Sequence, residues 1–117
     1  LAEVTRLGTA LGGSAETFAG LAGMGDMIAT CTSPQSRNRH VGLQLAQGKS
    51  VQEITDGMNM VAEGVKSAPT VVSLANRHNI EVPICSEIQR ILDGKADATR
   101  VYRGLIRVVA GAESEPG

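Results

Sequence analysis

The stretch Pro83-Ile84-Cys85-Ser86-Glu87-Ile88-Gln89-Arg90-Ile91-Leu92, closed by Asp93-Gly94, decides the fold class. Ile84, Ile88, Ile91 and Leu92 stand at i, i+4, i+7 and i+8, the spacing of one helical face. Proline near the first helical position sacrifices no hydrogen bond, and glycine just past the end admits the left-handed turn that stops a helix. Upstream, Val71, Leu74, Ala75 and His78 mark another apolar-leaning helical face. Pro69 either falls in the first turn of that helix or kinks a longer one that begins near Glu63. Ser50-Val51-Gln52-Glu53 reads as a capping box ahead of Ile54, and Val41 and Leu45 pair at i, i+4 before Gly48 ends their helix.

Nearer the start, Val4, Leu7 and Leu11 share a face, Gly12-Gly13 forms the expected C-cap, and Ser14 caps the next segment. That segment, with Phe18 and Leu21, is expected to be short because Gly20, Gly23 and Gly25 interrupt it. Downstream, Val101, Leu105, Val108 and Val109 repeat the helical spacing. No period-2 alternation competes with these patterns, so the chain reads as all-α with about six or seven helices. With neither repeat nor linker, one helical domain is expected over residues 1–112, followed by a short polar tail, 113–117. The chain opens at Leu1, without Met, directly in helical sequence, as a fragment with an upstream part would.

Composition narrows the function. The 117 residues are 42% hydrophobic but only 2% aromatic, so the core must be aliphatic, which suits packed helices. A net charge of -1 supplies no basic field for nucleic acid or an anionic membrane. No apolar run approaches the roughly 20 residues of a membrane span, and no export signal opens the chain. Cys31 and Cys85 fit no metal spacing and are too few to staple a secreted scaffold; they read as reduced thiols of a cytoplasmic protein.

Two stretches carry candidate chemistry. In Gly20-Leu21-Ala22-Gly23-Met24-Gly25-Asp26 the glycines run G-x-x-G-x-G, the reverse of the dinucleotide fingerprint, and no strand precedes them. They offer a tight bend that aims Asp26 into a cleft, or else a plain interhelical turn with Asp26 as its cap. In Ser36-Arg37-Asn38-Arg39-His40 a hydroxyl, a guanidinium and a carboxamide meet at a helix start. That is a site for phosphate, since the first amides and the helix dipole favour an anion and arginine binds it bidentately. The alternative is a capped helix with a solvated basic first turn. Arg39, His40 and His78 read as surface residues, and Cys31, with nothing nearby to activate it, reads as a packed thiol. No G-x-S-x-G elbow, H-E-x-x-H motif or P-loop occurs.

Taken together, Gly23-Met24-Gly25-Asp26, Thr30-Cys31-Thr32-Ser33 and Ser36-Arg37-Asn38-Arg39 resemble the central block of the bacterial NAD(P)-dependent glycerol-3-phosphate dehydrogenases. Val61-Ala62-Glu63-Gly64-Val65 and Val82-Pro83-Ile84 continue the resemblance in the same order and spacing. It implies the helical, substrate-binding C-terminal domain of the 6-phosphogluconate-dehydrogenase-like type, without its Rossmann domain. Such enzymes interconvert dihydroxyacetone phosphate and sn-glycerol 3-phosphate with NAD or NADP, for phospholipid synthesis in the cytoplasm.

By resemblance, Asp26, Ser36, Arg37 and Asn38 would contact the substrate, while Arg37, Val61 and Glu63 would touch the cofactor. The acid/base lysine of the family lies in an A-L-K-N motif upstream of the counterpart of Val4–Leu11. This chain has no such motif: Lys49, Lys66 and Lys95 stand in other contexts, so no catalytic residue is assigned and the chain alone is expected to be inactive. Pro69 departs from the usual family pattern. The resemblance leaves NAD or NADP undecided and allows a homodimer. Two rivals stay open: a stand-alone helical interaction module, and a related dehydrogenase with another substrate.

Overall fold

The computed structural model describes residues 1–60 and 62–100. Among them are seven α-helices and no strand: α1 (Ala2–Ala10), α2 (Ala15–Ala19), α3 (Leu21–Thr32), α4 (Arg37–Ala46), α5 (Val51–Asp56), α6 (Glu63–Arg77) and α7 (Pro83–Leu92), then a 3-10 turn, Ala98–Arg100. The expected helix from Val101 to Val109 and the tail 113–117 lie outside the described residues.

Local signals set most of the boundaries. The Ser50 hydroxyl accepts from the Glu53 amide while the Glu53 carboxylate accepts from the Ser50 amide, closing the capping box that starts α5. Pro83 opens α7, and Gly94, at φ 74°, lies just beyond its end. Pro69 lies inside α6, so the longer helix beginning at Glu63 is the one that forms; having no N–H, Pro69 leaves one rung of it unmade. The end of α6 uses a device that sequence did not announce. His78 is its C-cap, Asn79 takes the left-handed conformation at φ 55°, and the Ile80 amide returns to the Ala75 carbonyl.

The glycine block is a correction. Only Gly20 separates helices; α3 runs on through Gly23 and Gly25 to Thr32, so no tight bend exists there. Space explains Gly23: a Cβ would stand 2.2 Å from the Phe18 carbonyl oxygen, because α3 starts pressed against the end of α2.

Burial adds what periodicity left open. Val4 of α1 and its C-cap Leu11 are 42% and 51% exposed and Leu7 between them is half-buried, while Ala2, Glu3 and Thr5 turn inward. The reason is polar. The buried Glu3 carboxylate accepts from the Ile84 amide at 2.6 Å and the Cys85 amide at 3.0 Å, the first N–H groups of α7. Arg6 adds Nε and Nη2 bonds to the Glu81 carbonyl at 3.2 and 3.0 Å. Two charge-assisted contacts thus fix which side of α1 meets the 81–85 segment. Among the described residues, Val41 of α4, Ile54 of α5 and Ala62 form a buried apolar cluster, with Leu45, Met58 and Val65 packed against them. This cluster holds the starts of α4 and α6 together, and the site depends on that.

Candidate functional site

The start of α4 is built as its sequence suggests. Ser36 is the N-cap, in extended conformation, and its hydroxyl accepts from the Arg39 amide at 3.2 Å. The third amide of the helix is thereby satisfied, while the Asn38 amide has no acceptor among the described residues. Arg37 and Asn38 are exposed and Ser36 half-buried. Val41, one turn on and buried, anchors this first turn to the core.

What sequence could not show is where these side chains go. The Asn38 Oδ1 atom accepts from the Gly64 amide at 2.9 Å, across 26 residues of chain. A backbone N–H can only donate, so the carboxamide must present its oxygen, leaving the Asn38 NH2 group as a donor for something else. Arg37 Nη1 lies 3.8 Å from the Met60 sulfur. Both side chains therefore lean on the turn that leads into α6. The Ser36-Arg37-Asn38 block and the Ala62-Glu63-Gly64 block form one rim.

Glu63 is the first residue of α6, and its side chain is exposed at that rim. A carboxylate in the first helical turn is favourably placed against the dipole. Val61, the other residue expected on the cofactor side, lies outside the described residues. Asp26 is a different case. It stands in the middle of α3, exposed, and its carboxylate makes no hydrogen bond or ion pair with a described residue; its carbonyl takes the Thr30 hydroxyl at 2.9 Å. Of the expected site residues, the structure joins Arg37 and Asn38 directly to the α6 turn and leaves Asp26 unlinked to it.

The residues expected to be bland are mostly so. The His40 Nε2 atom takes a hydrogen bond from the Gln44 carboxamide one turn along α4, and His78 and Arg39 are exposed. No group of three His, Cys, Asp or Glu side chains among the described residues could hold a metal. The expectation of a packed Cys31 is overturned: that thiol is exposed near the end of α3. Cys85 is half-buried, and its thiol is pushed up to about 11 by burial first, then by the Glu3 carboxylate beside it.

Beneath the rim, Asn38 and Gly64 give way to an open groove of about 630 Å³ between α4, α6 and α7. Val41, Leu45, Val65, Val71, Ile88 and Ile91 line it. The apolar face of α7 borders this groove, with Ile84 and Ile88 47% and 43% exposed. An apolar lining does not suit a phosphate, whereas the rim above it carries the polar groups of Ser36 to Asn38.

Comparison with known proteins identifies the family. The family profile described as NAD-dependent glycerol-3-phosphate dehydrogenase C-terminus matches residues 1–103. A relative named glycerol-3-phosphate dehydrogenase (NAD(P)+) 2, from Sphingopyxis alaskensis, is 60% identical over 117 residues, which is 100% of this chain and 35% of that protein. A glycerol-3-phosphate dehydrogenase (NAD(P)+) from Acaryochloris marina is 56% identical over 106 residues, 91% of this chain and 34% of its own length. The crystal structure of glycerol-3-phosphate dehydrogenase from Coxiella burnetii superposes with a TM-score of 0.83 at 38% identity, covering 91% of this chain and 33% of that one. The chain thus spans about a third of the length of the curated relatives it matches. No described helix is long and apolar enough to cross a membrane. By profile, sequence and fold, the chain belongs to the C-terminal domain family of the NAD-dependent glycerol-3-phosphate dehydrogenases.

Proposed function

We propose that this chain forms the substrate-side wall of an oxidoreductase that interconverts dihydroxyacetone phosphate and sn-glycerol 3-phosphate. The observation that carries the reading is the rim itself: Ser36, Arg37 and Asn38 at the start of α4, tied to the start of α6 by the Asn38–Gly64 bond. There the substrate phosphate meets the Asn38 amide, the Asn38 NH2 donors and a guanidinium with parallel N–H groups, at the positive end of a helix dipole. Ser36 holds the turn in shape by capping it. Asp26 takes the hydroxyl or carbonyl end of the substrate, a part that asks α3 to bring its carboxylate over the rim.

NAD or NADP, when bound, supplies the hydride. The residues present fit such a group: Arg37 offers a cation for a phosphate, and Glu63 an acceptor for hydroxyl or amide hydrogens from the α6 side. Val61 completes that set by position in the motif. The A-L-K-N motif is absent from the 117 residues, so binding without turnover is expected of the chain by itself. Phospholipid synthesis, a cytoplasmic setting and a homodimeric assembly complete the proposal.

The direct test is an NMR titration of the chain with sn-glycerol 3-phosphate. The amides of Arg37 and Asn38 should shift on binding, and Arg37→Ala should weaken the affinity about tenfold or more, the scale of a charge-assisted pair. Amides at 36–38 that stay still at millimolar ligand would sink the proposal.

A further inference from the structure

Gly64 touches no ligand in the proposed site, yet its position is the most constrained on the rim. A Cβ built there would stand 2.8 Å from Asn38 Oδ1, 3.0 Å from Cγ and 3.3 Å from Nδ2. The whole plane of the carboxamide thus lies across the bare α-carbon, and the Gly64 amide donates into it at 2.9 Å. Backbone conformation does not demand glycine, for Gly64 is an ordinary residue of α6, and the positive-φ glycines among the described residues are Gly12, Gly48 and Gly94. Helix propensity argues against glycine here, since alanine is the better helix former. Space for Asn38 is what remains to explain it.

We infer that Gly64 is a positioning residue: its bare α-carbon and its N–H together fix the Asn38 carboxamide, so that the turn bearing Ser36 and Arg37 keeps one geometry against the turn bearing Glu63. The inference rests on the reading of Ser36 to Asn38 as the phosphate site. It adds a reason why the two blocks must move as a unit. A Cβ at 64 forces the carboxamide to shift, the NH2 donors move with it, and the substrate-side and cofactor-side groups lose their register. Preorganised donors are worth more than mobile ones, because nothing has to be reordered when the anion arrives.

The experiment compares Gly64→Ala with Gly42→Ala in the 117-residue chain. Gly42 is the control because it lies on α4, the helix of Asn38, and a Cβ there meets nothing within 4 Å. In Gly64→Ala the Asn38 side-chain NH2 signals and the 36–38 amides should shift. Affinity for sn-glycerol 3-phosphate should fall about tenfold, the worth of one hydrogen bond to a charged group. The melting temperature should hold or rise, as alanine propensity dictates. Gly42→Ala should leave the signals and the affinity in place.

Unchanged 36–38 signals in Gly64→Ala, or equal shifts in both variants, overturn the inference. If Gly64→Ala fails to fold, the Gly64 amide decides. Its shift and exchange protection should vanish in Asn38→Ala and survive in Asn38→Asp, which keeps an oxygen acceptor; persistence in Asn38→Ala overturns the idea. A wild-type chain that binds no sn-glycerol 3-phosphate sinks the phosphate site, whereas these signals still decide the part played by Gly64.

Discussion

Helices α6 and α7 both start without a side chain of their own to cap them, at Ala62 and Val82. Each takes an acceptor from a distant helix. For α7 it is the Glu3 carboxylate, buried, holding two amides at 2.6 and 3.0 Å. For α6 it is the Asn38 carboxamide, exposed, holding one amide at 2.9 Å. The two caps answer the same need for the orphan amides of a helix start, but with different chemistry. A buried carboxylate spends both oxygens on the fold and keeps no donor. An exposed carboxamide spends only its oxygen and keeps two donors for a ligand. The first cap serves the fold, and the second serves the rim.

The most forceful way to break this comparison is Glu3→Ala. It removes two charge-assisted bonds and leaves the first amides of α7 without their partner, at a cost of about 3 kcal/mol in unfolding free energy. Urea denaturation should show a clear drop in midpoint with the slope unchanged. Glu3→Gln, which keeps one oxygen acceptor, should fall between that variant and the parent. A loss below that of an ordinary surface substitution would mean that the Arg6–Glu81 contacts hold α1 in place unaided.

Cys85 sharpens the same junction. Its thiol is pushed from the usual 9.0 to about 11, by burial first and by Glu3 second, so the folded chain favours the neutral thiol more than the unfolded chain does. The stability that this confers is intact below pH 9 and is lost as pH rises through about 11, because only the unfolded chain sheds its proton easily in that window. Unfolding midpoints followed from pH 8 to pH 11 should fall, and Cys85→Ala should flatten that part of the curve. Iodoacetamide at pH 8.5 should modify the exposed Cys31 faster than Cys85, since the thiolate is the reactive form. Equal rates would contradict the account of the junction.

How far the sequence revealed this depends on the range of each cause. The α5 capping box, Pro83 at the head of α7 and Gly94 at its end are settled within a few residues, and they were legible. So was the cluster of Ser36, Arg37 and Asn38 at a helix start. Periodicity found the helices but did not say what their apolar faces meet: Val4 and Leu11 lie open, and Ile84 and Ile88 face a groove. In α3, three glycines suggested a bend, yet Gly23 is needed for close packing on Phe18 and the helix continues through it. The trans caps were hidden for a plain reason. Glu3 meets its partners 81 and 82 residues away, and Asn38 meets Gly64 across 26, far beyond any helical repeat. The signal available for the second was the glycine of the Val-Ala-Glu-Gly block, a poor helix former where a helix begins.

The smallest effect on stability is expected from Asn38→Ala, and it tests the contrast from the other side. Water reaches the exposed rim, so the Gly64 amide can exchange its oxygen acceptor for solvent, and the loss in unfolding free energy should stay near 0.5 kcal/mol, roughly the low end for a single hydrogen bond. Affinity for sn-glycerol 3-phosphate should nevertheless drop by about tenfold if the proposed site is right, because the donors assigned there to the phosphate go with the side chain. That split, small in stability and large in binding, is what a cap kept for a ligand predicts. If Asn38→Ala instead cost as much as Glu3→Ala and spared the affinity, the two caps would be equivalent. The rim would then be a helix junction, and the phosphate would have to be sought elsewhere.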